Sequence, residues 1–317
     1  MPPEERLAAF EAQRPRLLRL AYRMLGSLSE AEDVIQDAWP RWAAVNGGVD
    51  VPAAYLTRIV TRLCLDQLKS ARAQREEYVG AWLPEPLLQQ TSEEAVADDV
   101  TLTLMMAMER LSPLERAAFL LHDIFETPLN EVAAVLEREP AAVRQLASRA
   151  RHHVREARPR YTLSPQTASD LVRAFHEAST KGDTQALSGI LADQVTVFSD
   201  GGGKVLAFRN VVQGMDRVLR LFQGLARKGA YRPQLLRTVM IDGLPGFVSI
   251  DRGAALQTTA LDVQDGKITA LYIVRNPDKL RHVAAMLAGG SDGRTARAEP
   301  KGLRLFPTRS AAKPMSS

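Results

Sequence analysis

The sequence predicts a multidomain chain in which two all-α domains precede an α+β domain with a curved antiparallel sheet. Apolar residues recur at helical spacing over residues 5–76 and again over 101–160. An acidic segment at 77–100 contains Gly and Pro residues that interrupt helices, and we expect it to be a linker. In residues 166–288, helical patterns come first and alternating strands follow, as in α+β domains. Residues 289–317 show little patterning, and we expect a mobile tail.

The composition is that of an ordinary globular protein. The chain has 317 residues, 45% of them apolar and 25% charged, which leaves length for two or three domains. No run of 18 apolar residues is present, and the N-terminus lacks the pattern of a secretory signal. The lone Cys64 can form neither an internal disulfide nor a metal cluster. These features predict a cytoplasmic protein with no membrane partner, no metal and no cofactor.

The charge is distributed unevenly, although the net charge is only +4. Residues 77–100 carry six acids and no Lys or Arg, whereas residues 140–161 carry six arginines and one glutamate. An acidic linker before a basic helix is one pattern of nucleic-acid-binding proteins, and two solvated faces are the alternative. We hypothesise that the linker acids screen these arginines in the free chain.

The first helical block contains three predicted helices. The apolar positions of the first share one face, and this helix is expected to end near Gly26. Ser29, with Glu32 three residues later, predicts the N-terminal cap of the second. After the Gly-Gly pair at 47–48, Pro52 is suited to begin the third helix.

The second block predicts a helix-turn-helix. Ser112, Pro113 and Glu115 form a capping box with Pro at the first helical position. Two further helices are expected at 128–136 and 140–156. The second of these presents Arg and Gln side chains, which suit base edges and phosphates in the major groove, on the face opposite its apolar residues. The outward residues are Arg144, Gln145, Ser148, Arg149 and Arg151.

The third block reads as two helices and then strands. The helices are expected at 167–179 and 184–191, and Asp-Gly pairs at 242–243 and 265–266 indicate tight turns. The predicted strands are 195–198, 205–208, 234–241, 247–250, 257–263 and 268–274. His176, Asp193 and Asp251 are the candidate bases for catalysis, but the sequence assigns none of them a partner. We therefore predict no catalytic residue and no enzyme activity.

Two separated motif blocks resemble the sigma-70 family of bacterial RNA polymerase sigma factors, extracytoplasmic-function (ECF) subgroup. Residues 17–44 and 53–70 resemble region 2, with Ala-Glu-Asp-Val-Ile-Gln-Asp at 31–37 and Ala-Tyr-Leu-Thr-Arg-Ile at 54–59. Residues 102–158 resemble region 4, with Leu-Ser-Pro-Leu-Glu-Arg at 111–116 before the helix-turn-helix. The resemblance implies binding to core RNA polymerase, at its β′ coiled-coil and β flap, and to −35/−10 promoter DNA.

The resemblance also implies roles for particular residues. In region 4, the outward face of the second helix would read the −35 element. In region 2, the −10 element would be held by Asn46, Tyr55, Arg58 and Arg62. Tyr55 could equally be a core aromatic. The polymerase would be bound by Asp33, Gln36 and Asp37. Pro40 departs from the family pattern, since an interior proline would end the second helix near Trp39 or reshape this surface.

Three further motifs resemble a subgroup whose members carry a fused SnoaL-like domain in place of a separate anti-sigma factor. They are Trp-Leu-Pro-Glu-Pro at 82–86, Asp-Gly-Gly-Gly-Lys at 200–204 and Asn-Pro-Asp-Lys-Leu at 276–280. The resemblance implies that these motifs join the C-terminal domain to the linker and regulate the chain. The residues implied are Trp82, Pro84, Asp200, Gly201, Gly202, Gly203, Lys204, Asn276, Pro277, Asp278 and Lys279.

The sequence leaves alternatives for the glycine segment and for the role of the C-terminal domain. The three glycines at 201–203 could form an anion-binding loop or a wide turn, and Lys204 is a candidate partner for a linker acid. The C-terminal domain could regulate the first half, or it could sense a ligand or act as an enzyme. An apolar interior would favour regulation, and an open pocket with convergent polar groups would favour a ligand.

Overall fold

The computed structural model describes residues 2–45, 47–76, 78–89, 100–155, 164–228, 233–251 and 255–289. Within these ranges it contains helical domains followed by a domain built on one sheet, which confirms the predicted fold class. None of the described helices is long and apolar enough to cross a membrane.

The first helical domain consists of three helices around a buried core. They are α1 (Pro3–Leu25), α2 (Leu28–Ala43) and α3 (Pro52–Glu76). As predicted, α1 ends at Gly26, which takes a left-handed conformation (φ 73°) and donates its N–H to the Tyr22 carbonyl. The expected cap of α2 at Ser29 is wrong. Ser27 is the N-cap and accepts the N–H of Glu30, because the helix begins two residues earlier.

Pro40 does not end the second helix. Helix α2 continues to Ala43 with Pro40 in its last turn, and the N–H of Ala44 still reaches the Pro40 carbonyl at 3.0 Å. Of the two alternatives for Pro40, an end of the helix near Trp39 is therefore wrong. Pro40 lacks the N–H that would bond to the Gln36 carbonyl, four positions before it, and the helix continues past this missing bond.

The second helical domain carries the predicted helix-turn-helix. Its elements are α4 (Leu102–Met108), α5 (Pro113–Phe119), a π-helical turn (Leu120–Ile124), α6 (Leu129–Leu136) and α7 (Pro140–Val154). The capping box at Ser112 and Glu115 is present with both of its hydrogen bonds. Buried residues of both helical domains belong to one continuous hydrophobic cluster, so in this structure the two domains share a core.

The C-terminal domain is a mixed sheet covered by helices. Its elements are α8 (Pro165–Lys181), α9 (Thr184–Ile190), β2 (Leu191–Asp200), β3 (Val212–Gln213), α10 (Met215–Arg227), β4 (Gln234–Ile241), β5 (Leu244–Ile250), β6 (Leu256–Gln264), β7 (Lys267–Val274) and α11 (Arg281–Gly289). A short strand of the linker, β1 (Leu88–Gln89), pairs with β4, and the strand order is β1-β4-β5-β6-β7-β2-β3.

Two details of the predicted sheet are wrong. The sheet is not wholly antiparallel, because β2 runs parallel to β7. The long crossover through α10 and the β4–β6 meander brings the chain back in the same direction as β2, as a parallel pair requires. Residues 205–208 form no strand and lie in the loop between β2 and β3. Both Asp-Gly turns are present, with Asp and Gly in positive-φ conformations.

Between the sheet and its helices, apolar side chains pack around Phe247, and the same face of the sheet also buries Ser199, Ser249, Gln257 and Thr259. Phe175 of α8, Phe222 of α10 and Phe247 of β5 are almost fully buried. The Phe175 ring lies 5.5 Å from the Phe222 ring and 6.4 Å from the Phe247 ring, centroid to centroid. The interior of this domain is therefore apolar around Phe247 and polar where these four side chains lie.

The burial of Cys64 makes the packing of the first helical domain testable. Its side chain is fully buried in α3, and burial raises the pKa of its thiol. Since only the thiolate is nucleophilic, we expect no reaction with a thiol reagent at pH 8 in the folded chain and complete reaction in urea. Rapid labelling of the folded chain, measured by mass spectrometry, would contradict this packing.

Candidate nucleic-acid interface and interdomain contacts

The second helix of the helix-turn-helix has the polarity predicted from the sequence. Val143, Ala147 and Ala150 are buried against the rest of the domain. The turn before α7 contains Glu137 in a left-handed conformation (φ 52°), which redirects the chain between α6 and α7. All five outward residues are exposed: Arg144, Gln145, Ser148, Arg149 and Arg151. The helix therefore offers a polar, basic face of the kind that enters a major groove.

The acidic face of α2 is also accessible. Asp33, Gln36 and Asp37 are exposed, while Val34, Ile35 and Ala38 are buried. Spacings of three and four residues place the exposed side chains on one side of the helix. This side faces solvent and is available to a basic partner.

The residues implied for the −10 element face the second helical domain. Tyr55 is half-buried, its ring 5.9 Å from the Trp42 ring, and the Arg58 guanidinium lies 5.8 Å from the Tyr55 ring centre. Asn46 lies outside the described residues. Tyr55 and Arg58 line a cavity of about 500 Å³ between α1, α3 and α6, together with Glu131 of α6.

An ion pair closes the same face. Arg62 of α3 pairs with Glu137 in the turn before α7. Arg16 of α1 lies over the ring of Phe125, which follows the π-helical turn, at 5.3 Å from its centre. Two cations of the first domain are thus held by side chains of the second.

The linker is attached to the C-terminal domain by a buried carboxylate. Asp200, at the end of β2, is fully buried and accepts hydrogen bonds from Tyr78 Oη (2.6 Å) and the N–H of Leu83 (2.9 Å) in the linker. It also accepts the N–H of Gly202 at 3.0 Å and pairs with Lys279 Nζ at 2.7 Å. The motif at 200–204 and the motif at 276–280 therefore both contact the linker.

Lys279 is enclosed by aromatic rings. Its ammonium group lies 4.3 Å from the centre of the Trp82 ring and 5.0 Å from that of Tyr78, and it also donates to the Leu83 carbonyl. Burial, followed by the hydrogen bond to Asp200, raises the pKa of the Tyr78 hydroxyl. Asn276 Nδ2 donates to the same hydroxyl at 2.8 Å.

The three glycines at 201–203 form an interdomain turn. A Cβ at Gly202, whose φ is 60°, would lie 2.3 Å from the Asn276 amide. The turn thus packs on Asn276 of the third motif, and a Cβ at Gly203 would lie 3.4 Å from Val79 of the linker. Among the described residues, the partner of Lys204 is Asp278 of the motif at 276–280 and not the linker acid Glu85.

The other face of the linker contacts the first helical domain. Trp82 packs on Gly26, where a Cβ would lie 2.5 Å from the indole ring. The Glu85 carboxylate accepts Ser27 Oγ at 2.7 Å and the N–H of Leu28 at 3.0 Å, so it caps α2 from outside the helix. Pro84 is buried and Pro277 is exposed. The other five linker acids lie outside the described residues.

Asp242, which sequence reasoning missed, joins the C-terminal domain to the linker and to both helical domains. Its fully buried carboxylate accepts hydrogen bonds from Tyr22 Oη (3.0 Å), Arg23 Nη1 (2.9 Å) and the N–H of Leu87 (2.9 Å). Its carbonyl accepts the N–H of Leu102 at 2.9 Å. Burial raises the pKa of this carboxyl, and the Arg23 guanidinium opposes the rise. The Asp-Gly turn was visible in the sequence, but its partners lie more than 200 residues away in α1.

The three candidate bases of the C-terminal domain do not form a site. His176 Nε2 lies 3.1 Å from the Pro233 carbonyl, and burial lowers the pKa of this histidine. Asp251 pairs with Arg275, and Asp193 is exposed on β2. Among the described residues, no group of three or more His, Cys, Asp or Glu side chains is placed to hold a metal ion.

Comparisons with known proteins agree with this layout. The family model for sigma-70 region 2 matches residues 9–74, and that for sigma-70 region 4 matches residues 101–154. The ECF RNA polymerase sigma factor SigJ of Mycobacterium tuberculosis is 38% identical over 313 residues, covering 93% of this chain and 97% of the relative. The probable ECF RNA polymerase sigma factor SigI of the same species is 33% identical over 291 residues, covering 89% and 97%.

A solved structure is similar over most of the chain. The crystal structure of Mycobacterium tuberculosis SigJ superimposes with a TM-score of 0.69 at 35% identity. The alignment covers 87% of this chain and 98% of the other, so the similarity includes the helical domains and the C-terminal domain together.

Proposed function

Because this chain belongs to the ECF sigma factors of the sigma-70 family, we propose that its own C-terminal domain regulates how it initiates transcription. Sigma factors are promoter-specificity subunits and are not enzymes, in agreement with the class predicted from the sequence. We propose that this chain acts in the cytoplasm, where it binds core RNA polymerase and −35/−10 promoter DNA. No membrane, cofactor or separate anti-sigma factor takes part in this proposal.

The surface of α7 is the observation that carries the DNA-binding part. Arg144, Gln145, Ser148 and Arg149 read the −35 element in this proposal, and Arg151 binds a phosphate. The contrast between this exposed face and the buried Val143, Ala147 and Ala150 supports it. On the first domain, Asn46, Tyr55, Arg58 and Arg62 bind the −10 element.

Polymerase binding is assigned to the two helical domains. In this proposal the exposed Asp33, Gln36 and Asp37 of α2 bind the β′ coiled-coil, and the second domain binds the β flap.

The proposed division of the chain is 5–76 for region 2, 77–100 for the linker, 101–160 for region 4, 166–288 for the SnoaL-like domain and 289–317 for the tail. The residues matched by the two family models support the first and third of these ranges.

Regulation rests on the contacts of the linker. Asp200 and Lys279 hold one side of the linker, and Trp82 and Glu85 contact the first domain from the other. While these contacts persist, Arg58 and Arg62 face the second helical domain. The C-terminal domain thereby sets the spacing of regions 2 and 4. The apolar packing around Phe247 supports this role.

Arg144→Ala is expected to weaken binding to −35 DNA by about 1–3 kcal/mol, the worth of a good base contact. Footprinting of the holoenzyme on a promoter measures the effect. Arg173→Ala is the matched control, because Arg173 is an exposed arginine on α8 of the C-terminal domain. A footprint equal to that of the wild type would remove Arg144 from the −35 site.

Transcription by core polymerase tests the regulatory part. We compare full-length chains carrying Lys279→Met, which disrupts the linker contact, and Lys181→Met, which removes an exposed pair on α8 outside the three motifs. Promoter output is expected to change with Lys279→Met and to stay constant with Lys181→Met. Equal output from both variants and the wild type would remove the regulatory claim.

A further inference from the structure

A carboxylate outside α7, the second helix of the helix-turn-helix, forms an ion pair with one arginine of that helix. Asp123 Oδ1 accepts a hydrogen bond from Arg151 Nε at 2.6 Å, and the two residues are 28 positions apart in the sequence. The Asp123 side chain is 12% exposed, whereas that of Arg151 is 44% exposed. The Asp123 carboxylate is therefore the more buried member of the pair, and the Arg151 guanidinium is the more exposed one.

The π-helical turn places Asp123 in this position. The Phe125 N–H bonds to the Leu120 carbonyl at 2.8 Å, five residues back, and the Thr127 N–H bonds to Leu121 at 2.8 Å. Leu120 and Leu121 are fully buried, which anchors the turn in the core. A π-turn is uncommon and lies frequently at functional sites. Asp123 lies within this turn, and its carboxylate reaches Arg151 in the last turn of α7.

The pair leaves the phosphate-binding part of Arg151 available. Only Nε is bonded to Asp123, and within the described ranges Nη1 and Nη2 have no hydrogen-bond partner. A guanidinium whose Nε is held by a carboxylate has a fixed plane and a restricted choice of rotamers. Less conformational freedom is then lost when its two Nη groups bind phosphate oxygens.

We propose that Asp123 is a positioning residue that orients Arg151 toward a phosphate of the DNA backbone. The proposal deepens the proposed function, since it rests on the DNA contact assigned to α7. In this proposal the π-helical turn contributes to DNA binding through Asp123, although the turn is not part of α7.

Salt-dependent DNA binding by the full-length chain tests the proposal. The probe is a labelled DNA duplex long enough for both helical domains, and anisotropy gives the Kd at several KCl concentrations. Asp123→Asn is expected to weaken binding about threefold to tenfold and to lower the salt slope by up to about 0.9, the value of one phosphate contact. Arg151→Ala is expected to do the same, and the double variant is expected to lose no more than either single variant.

Two further variants separate orientation from folding. Asp123→Glu keeps the charge and is expected to recover part of the affinity and of the salt slope. Glu177→Gln removes an acid from another ion pair of 2.6 Å, with Lys181 on α8, and is expected to leave both quantities unchanged. Thermal unfolding of each variant shows that the measured chains are folded.

The outcomes that overturn the proposal are distinct. Tighter binding by Asp123→Asn would mean that the carboxylate neutralises Arg151 instead of orienting it. An equal loss with Asp123→Asn in the Arg151→Ala background would mean that Asp123 acts through the fold. A loss with Arg151→Ala but none with Asp123→Asn removes only this proposal. No loss with Arg151→Ala removes the assigned DNA contact, and this proposal with it.

Discussion

Asp242→Asn is expected to destabilise the chain by about 3–5 kcal/mol, the usual cost of removing one partner from a buried ion pair. The side chains of Asp242 and Arg23 are 0% and 3% exposed, so the substitution removes the carboxylate charge from a buried ion pair. Asn tolerates the positive φ of 44° at this position, so the substitution tests the charge and not the turn. Urea unfolding at pH 7 measures the change.

Asp265→Asn is the matched control for this prediction. Asp265 has the same position in the Asp-Gly turn between β6 and β7, with φ 51°, but it is exposed. We expect the control to change stability by no more than about 0.5 kcal/mol, as surface substitutions usually do. Similar losses from both variants would mean that the backbone of the turn, and not the pair with Arg23, carries the stability.

The Asp242 variant also tests whether the closed arrangement depends on this turn. The turn bonds to α1 through Tyr22 and Arg23, to the linker through Leu87 and to α4 through Leu102. Weakening these bonds is expected to increase the distance between regions 2 and 4 in the folded chain. Small-angle scattering below the unfolding transition measures this change, and an unaltered radius of gyration would contradict it.

Lys279→Met is expected to cost about 3 kcal/mol of stability, because it leaves the buried Asp200 carboxylate without its cation. Methionine keeps the length and the apolar stem, so the loss reports the ammonium group and its contacts with Trp82 and Tyr78. Tyr78 and Leu83 still donate to Asp200, which limits the effect. Denaturant unfolding followed by tryptophan fluorescence measures it, since Trp82 lies at the site.

Lys204→Met is the control for Lys279→Met. Its pair with Asp278 has side chains that are 55% and 41% exposed, and such surface pairs contribute about 1 kcal/mol or less. A loss of the same size from both lysines would show that burial and the aromatic rings add nothing to the Lys279 contact.

Local patterns in the sequence were sufficient for most helices and for the polarity of α7. Buried Val143, Ala147 and Ala150 alternate with exposed arginines at helical spacing, and that spacing is a property of neighbouring residues. The capping box at Ser112 and the turn at Gly26 are equally local. The cap of α2 was misplaced by two residues, because Ser27 and Ser29 are equally suitable in the sequence. Glu85, from the linker, bonds to both hydroxyls and to the N–H of Leu28.

Patterns along the chain were enough to predict that helical domains precede a sheet domain and that α7 carries an exposed basic face. The pairing of Lys204 with Asp278, the parallel run of β2 beside β7, and the pairs of Asp242 and Asp123 with distant arginines depend on the folded chain. The difference arises from separation along the chain. Helical periodicity and turns depend on residues a few positions apart, whereas a buried carboxylate finds its cation only after the domains have packed together.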